Sequence, residues 1–157
     1  MSNVKAATIL VVDDIRIIRH LVKVNLELEG YRVNEAENGE DALRRIKEDR
    51  PDLVLLDVVM PYLDGFQVLR QLRQDEDFRD LPVIMLTSCA EETDQIKGWE
   101  LGISDFVAKP FNPNALVNVV NRVLQESGSE KISEKRSREI AKLKMVRTIK
   151  DADKSIL

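Results

Sequence analysis

The feature that most constrains the fold is a series of short, mainly apolar runs, each four to six residues long and each followed by a polar or ionisable residue. Continuous apolar runs of this length fit strands that are buried on both faces, as in parallel sheets. The second run alternates and is the weakest of the five. The predicted strands are Thr8–Val12, Tyr31–Ala36, Leu53–Leu56, Leu81–Leu86 and Ile103–Ala108.

Segments with helical spacing lie between these strands. In the first of them, Ile18, Val22 and Leu26 recur at steps of four, which is typical of a helix with one buried face. Start and stop signals flank the five segments, namely Gly30, Asn38-Gly39, Asp64, Gly102 and Asn112-Pro113. Five strands that alternate with five helices predict an α/β fold, a doubly wound parallel sheet with helices on both faces.

Polar side chains follow the four strongest strands, at the edge where ligands bind in such sheets. They are Asp13 and Asp14, Asp57, Thr87 with Ser88, and Lys109. Three neighbouring carboxylates repel one another, and a divalent cation relieves that repulsion. Oxygen ligands favour Mg²⁺, which binds one or two carboxylates together with phosphate oxygens. A carboxylate such as that of Asp57 can act as a nucleophile, and the cluster offers the charge neutralisation that phosphoryl transfer needs.

Four motifs at these strand ends resemble the receiver (CheY-like) domain of the two-component response-regulator family. They are VVDD (Val11–Asp14), LLDVVMPYLDG (Leu55–Gly65), IMLTS (Ile84–Ser88) and FVAKPF (Phe106–Phe111). Each motif alone is weak, whereas all four in order are highly specific, and the resemblance covers residues 6–126. It implies a flavodoxin-like, five-stranded sheet of order 2-1-3-4-5 with five helices, and a role in phosphorelay signal transduction.

The resemblance also implies a role for each site residue. Asp57 would be the phosphoacceptor. The cofactor would be Mg²⁺ or Mn²⁺, held by Asp14, Asp57 and the backbone carbonyl of Val59, with Asp13 acting indirectly. Lys109 and Ser88 would contact the phosphoryl group, while Thr87 and Phe106 would form a switch pair. The Lys109-Pro110 peptide bond would be cis.

Two positions that vary within the family bear on the lifetime of the phosphorylated state. Val59 lies two residues after the acceptor and Cys89 two residues after Thr87. Both would border the path of the attacking water. An apolar Val59 is expected to orient that water poorly and so to slow dephosphorylation.

Charge divides the chain into two unlike parts. Residues 1–126 carry 15 basic and 23 acidic residues, whereas residues 127–157 carry 9 basic and 5 acidic ones. We therefore expect a receiver domain over 1–126 and a basic, helical C-terminal extension over 127–157. In the extension, Ala141, Met145, Ile149, Ala152 and Ile156 fall on one helical stripe. A solvated helix, docking on the body and docking on a second copy all remain open.

The leading function is a phosphorylation-dependent switch. Such a protein is not an enzyme, because it would catalyse only its own phosphorylation and dephosphorylation. Its expected partners are a sensor histidine kinase or histidine phosphotransfer protein, and a downstream protein that binds the face of the fourth helix, fifth strand and fifth helix. A homodimer is left open, and neither membrane nor nucleic acid is expected. The single cysteine excludes an internal disulfide, and with no signal segment it favours the cytoplasm.

Other functions compete with this one. A receiver-type adaptor, or a fragment of a transcriptional regulator, would act through the tail. An Asp-nucleophile, Mg²⁺-dependent phosphatase is weaker, because its DxDx motif is replaced by DDIR at Asp13–Arg16. A flavodoxin-like cofactor binder lacks any Gly-rich or aromatic flavin loop.

Overall fold

A computed structural model describes residues 6–88, 91–127 and 130–156 of the chain. Strands and helices alternate from the first strand to the fifth helix, and a sixth helix follows. The elements in chain order are β1 (Thr8–Val12), α1 (Arg16–Leu28), β2 (Arg32–Ala36), α2 (Gly39–Glu48), β3 (Leu53–Asp57), α3 (Gly65–Gln74), β4 (Val83–Thr87), α4 (Glu92–Glu100), β5 (Asp105–Ala108), α5 (Pro113–Glu126) and α6 (Glu130–Ile156).

The five strands form one parallel sheet of order β2-β1-β3-β4-β5, which confirms the predicted fold class and strand order. Strands β3 and β4 are buried along their whole length because they lie inside the sheet with helices on both faces. Successive side chains of a strand point to opposite faces, so the core splits into two layers. Leu10 and Val12 pack with α2, α3 and α4, whereas Ile9 and Val11 pack with α1 and α5.

Several element boundaries differ from the sequence prediction by one or two residues. The third strand extends through Asp57 and the fourth through Thr87, so both side chains belong to strand ends rather than to loops. The fourth strand begins at Val83, because the preceding Pro82 has no N–H to donate. Its carbonyl nonetheless accepts a hydrogen bond from the Val54 N–H, at 2.9 Å.

Side-chain caps fix the starts of three helices, as the sequence signals predict. The Asp64 carboxylate accepts from the N–H of Gln67, whose side chain accepts from the N–H of Asp64, which makes a complete capping box. The side chain of Asn38 caps α2 by accepting from the N–H of Asp41, and that of Asn112 caps α5 by accepting from the N–H of Asn114. Helix α4 differs, since no side-chain hydrogen bond caps it at Glu91.

The C-terminal extension forms a helix that lies on the body of the protein. Helix α6 runs antiparallel to α4, because Lys135 pairs with Asp105 at the start of β5, Lys144 pairs with Glu100, and Lys150 pairs with Glu92 at the start of α4. The sequence left open a solvated helix, docking on the body and docking on a second copy. In the structure the helix docks on the body of its own chain.

The apolar contact of α6 does not follow the stripe seen in the sequence. Ile140 and Leu143, which lie off that stripe, pack against the core, whereas Met145 and Ile149 on the stripe are exposed. The break expected over residues 127–129 lies partly outside the described residues. In the part of the chain that the structure describes, no helix has the length and apolar character that crossing a bilayer requires.

Candidate functional site

The end of β1 places two carboxylates at the carboxyl edge of the sheet. Asp13 is completely buried, whereas Asp14 next to it is exposed. The Asp13 carboxylate accepts from the backbone N–H of Ile15 at 2.9 Å and from Lys109 Nζ at 2.7 Å. These contacts hold the charged side chain in a position where water cannot solvate it.

The end of β3 places a third carboxylate beside the first two. Asp57 is only 4% exposed, and its Oδ2 lies 3.4 Å from Lys109 Nζ. Its Oδ1 accepts a long hydrogen bond, 3.4 Å, from the N–H of Val59. Lys109 therefore bridges the two buried carboxylates, and the Lys109 N–H donates to the carbonyl of Thr87 at 2.8 Å.

The surroundings of Asp57 disfavour the ionised form of its carboxyl group. One oxygen from each of Asp13, Asp14 and Asp57 lies within 4.8 Å of the others. Burial, and after it the charge of Asp13, raises the pKa of Asp57 from 3.8 to about 6, although Lys109 and the Val59 N–H oppose the shift. A cation bound between the carboxylates would remove this repulsion.

The donor set fits a divalent cation bound through oxygen. Three carboxylates face one lysine, which leaves an excess of negative charge at the edge of the sheet. Two of the carboxylates are buried and one is exposed, so a bound ion could keep water on its open side, as Mg²⁺ requires. The acidic pocket predicted from the sequence is therefore present as a cluster that could bind such an ion.

The remaining predicted site residues lie around this cluster. Thr87 is buried at the end of β4, and Ser88 after it is exposed. The Lys109-Pro110 peptide bond is cis. Val59 is 61% exposed, at the rim of the site. Cys89 lies outside the described residues.

Phe106 packs against α4 from its position in β5. Its ring meets Trp99 edge-on, with ring centroids 6.2 Å apart and planes at 76°. A Cβ atom on Gly98 would lie 2.6 Å from Cζ of the Phe106 ring, so the ring occupies space that only a glycine leaves. The ring of Phe106 and the backbone of α4 are therefore in direct contact.

Sequence reasoning missed two arginines that support the site and its surroundings. Arg19 Nη1 donates to the carbonyl of Asp13 at 2.8 Å, and its Nε lies 3.4 Å from Glu35. Arg73 donates to four backbone carbonyls, including those of Leu101 and Gly102 at the end of α4, and burial lowers its pKa to about 10. Nothing in the sequence pattern of α3 separates Arg73 from an exposed arginine.

Comparison with known proteins gives consistent matches. The family model described as the response regulator receiver domain matches residues 9–121. The phosphate regulon transcriptional regulatory protein PhoB of Pseudomonas aeruginosa is 44% identical over 121 residues, which is 77% of this chain and 53% of PhoB. The alkaline phosphatase synthesis transcriptional regulatory protein PhoP of Bacillus subtilis is 44% identical over 119 residues, which is 76% of this chain and 49% of PhoP.

Solved structures match over the same part of the chain. The chemotaxis protein CheY4 of Vibrio cholerae has a TM-score of 0.73 and 33% identity, covering 76% of this chain and 99% of CheY4. This chain spans about half the length of the curated relatives named above, but nearly all of the CheY4 chain. The chain therefore belongs to the response regulator receiver domain family.

Proposed function

We propose that the protein is a phosphorylation-dependent signalling switch that accepts a phosphoryl group on Asp57. The observation that carries this proposal is the buried Asp57 carboxylate, which shares Lys109 with Asp13 at the carboxyl edge of a receiver-family sheet. A buried carboxylate beside a lysine and a second carboxylate has the nucleophile and the charged groups that phosphoryl transfer needs.

The reaction would transfer the phosphoryl group from a phosphohistidine of a sensor kinase or phosphotransfer protein. A carboxylate oxygen of Asp57 would attack phosphorus, a P–O bond would form, and the P–N bond to the imidazole would break. The family implies Mg²⁺ or Mn²⁺ for this step. The bound cation would neutralise negative charge on the carboxylate and phosphoryl oxygens. Asp14, Asp57 and the carbonyl of Val59 would hold the ion, with Asp13 acting indirectly.

The protein's own groups would then recognise the product. Lys109 Nζ, now 3.4 Å from Asp57 Oδ2, is placed to donate to a phosphoryl oxygen. The hydroxyl of Thr87 and the exposed Ser88 would donate to the remaining oxygens. A movement of the Thr87 side chain would alter the packing of Phe106, because strands β4 and β5 are paired. Because Phe106 has no hydroxyl, its part in the switch would rest on packing alone.

The protein would catalyse nothing beyond its own phosphorylation and dephosphorylation. Its output would be a contact between proteins, and the face formed by α4, β5 and α5 is the proposed surface. Formation of a homodimer and a cytoplasmic location stay predictions. The division into a receiver over 1–126 and an extension over 127–157 also stays a prediction.

Incubation with Mg²⁺ and acetyl phosphate tests the proposal. We expect a mass increase of one phosphoryl group in the wild type and in the control Asp153→Asn, which changes an exposed carboxyl of α6. The Asp57→Asn variant should show no increase. A phosphoryl group that Asp57→Asn still acquires would disprove the assignment.

The curated relatives favour a second candidate function. PhoB and PhoP are named as transcriptional regulatory proteins, and this chain matches about half of each. The chain would then be the receiver part, or an adaptor, of a transcriptional regulator and would act through residues 127–157. DNA binding by the phosphorylated chain that is lost when residues 127–157 are removed would support this candidate, since a pure protein-contact switch would bind no DNA in either form.

A further inference from the structure

Helix α6 covers a surface of opposite charge, which we call the α4–β5 face and define as residues 92–105. Residues 92–105 carry four acidic residues and one basic residue, whereas the extension is basic. Lys135 Nζ lies 2.8 Å from Asp105, Lys144 Nζ lies 3.4 Å from Glu100, and Lys150 pairs with Glu92. The ion pairs therefore run along the whole of α4.

The same face also receives the apolar and guanidinium groups of α6. Ile140 and Leu143 are half-buried and pack against the cluster that contains Trp99 and Ile103. Arg136 Nη2 donates to the carbonyls of Gly102 and Ile103, at 3.1 and 3.3 Å. Both carbonyls lie in the turn after α4, and a charged donor makes hydrogen bonds that are stronger than those of a neutral one. Ion pairs and apolar packing therefore both hold α6 on this face, although the charge of Arg136 also lies close enough to lower the pKa of Arg73.

The covered helix connects the two strands that carry the switch residues. Thr87 ends β4 shortly before α4 begins, and Phe106 and Lys109 lie in or next to β5 after α4 ends. The Phe106 ring touches the backbone of α4 at Gly98. Thr87 and the Phe106 ring therefore both adjoin α4, and α6 rests on α4.

We propose that α6 is an intramolecular latch, which docks on the α4–β5 face when Asp57 carries no phosphoryl group and leaves that face when Asp57 is phosphorylated. This inference rests on the proposed function. In the structure α6 is docked while Lys109 bridges Asp13 and Asp57. A phosphoryl group would compete for Lys109 and move the ends of β4 and β5, so the face would no longer match α6.

Part of this contact adds little to stability. The Lys144–Glu100 pair is more than half exposed on both sides, and exposed pairs contribute little to stability. Helical stability in proteins comes mostly from packing, so α6 should fray once it leaves the body. Coupling between two sites is reciprocal. If a bound phosphoryl analogue weakens docking of α6 by some factor, docking of α6 weakens binding of the analogue by the same factor.

Hydrogen exchange on the full chain, with Mg²⁺ and beryllofluoride as a stable phosphoryl analogue, measures the release. We expect amides of residues 133–153 to exchange about tenfold faster with the analogue, a typical size for coupling between sites. Amides of α1, on the opposite layer of the protein, should not change. The Asp57→Asn variant should show the slow exchange of the unliganded wild type under both conditions.

Two matched double variants test docking independently of the analogue. Ile140→Ser with Leu143→Ser removes the buried contact, whereas Met145→Ser with Ile149→Ser makes the same change at exposed positions of the same helix. The first pair should accelerate α6 exchange without the analogue and tighten analogue binding by about tenfold, as reciprocity requires. The second pair should do neither.

The outcomes separate the latch from the proposed function. If the analogue binds and Asp57 accepts a phosphoryl group while α6 exchange stays the same or slows, the latch is wrong and the switch stands. If both double variants bind the analogue with wild-type affinity, docking is not coupled to the site. If Asp57 accepts no phosphoryl group from acetyl phosphate and the analogue does not bind, the proposed function fails, and the coupling fails with it.

Discussion

Replacing Asp57 by Asn should stabilise the protein at neutral pH when no divalent cation is present. In the folded wild type, burial and the neighbouring charge of Asp13 raise the pKa of Asp57 to about 6. The folded protein therefore binds the Asp57 proton more tightly than the unfolded chain does. Stability from this group is present below its ordinary pKa of 3.8 and is lost as pH rises through 6.

The size of the effect follows from the shift. A difference of about two pH units, at about 1.4 kcal/mol for each, corresponds to about 3 kcal/mol above pH 7. Asparagine has nearly the shape of the protonated carboxyl and carries no charge at any pH. The Asn variant should therefore gain about 3 kcal/mol over the wild type between pH 4 and pH 7.5.

Urea unfolding in the presence of a chelator, repeated from pH 4 to pH 7.5, measures this gain. The difference in unfolding free energy between Asp57→Asn and the wild type should grow with pH and level off above 7. Asp153→Asn, at an exposed position in α6, should show no such growth. A difference between Asp57→Asn and the wild type that does not change with pH would refute the electrostatic account of the site.

Three further predictions concern the cation, the rim of the site and α4. Affinity for Mg²⁺, measured by calorimetry, should fall about tenfold for each pH unit below 6, because a proton on Asp57 competes with the ion. Val59→Asn should speed loss of the phosphoryl group severalfold, measured by mass over time, and equal rates would contradict the proposed role of Val59. Gly98→Ala should cost about 1–3 kcal/mol in urea unfolding, since its Cβ would lie 2.6 Å from the Phe106 ring.

Much of the candidate site could be predicted because topology alone brings its residues together. Asp13, Asp57 and Lys109 are far apart in sequence, but each follows an apolar run, and parallel strands end at one edge. The distances could not be predicted in the same way. That Lys109 lies 2.7 Å from Asp13 and 3.4 Å from Asp57 depends on side-chain packing, which leaves no periodic pattern in the sequence.

The contact made by α6 shows where periodicity fails as a guide. A long, highly charged helix offers several stripes of apolar residues, and the most regular one contains Met145 and Ile149, which are exposed. The docked side is set by where Lys135 and Arg136 find Asp105 and the carbonyls of the α4–β5 turn. Those partners lie about 30 residues earlier in the chain, so local sequence does not reveal them.

The antiparallel course of α6 along α4 also decides where a reporter group attached to this chain would sit. Helix α5 runs away from the Asp57 edge of the sheet, and α6 returns toward it until Lys150 reaches Glu92 at the start of α4. A fluorophore placed near Lys150 would therefore stand on the same side of the molecule as the acidic cluster. One placed at Glu126 would stand on the far side, so a pair of dyes at these two positions would turn any movement of α6 into a change in energy transfer.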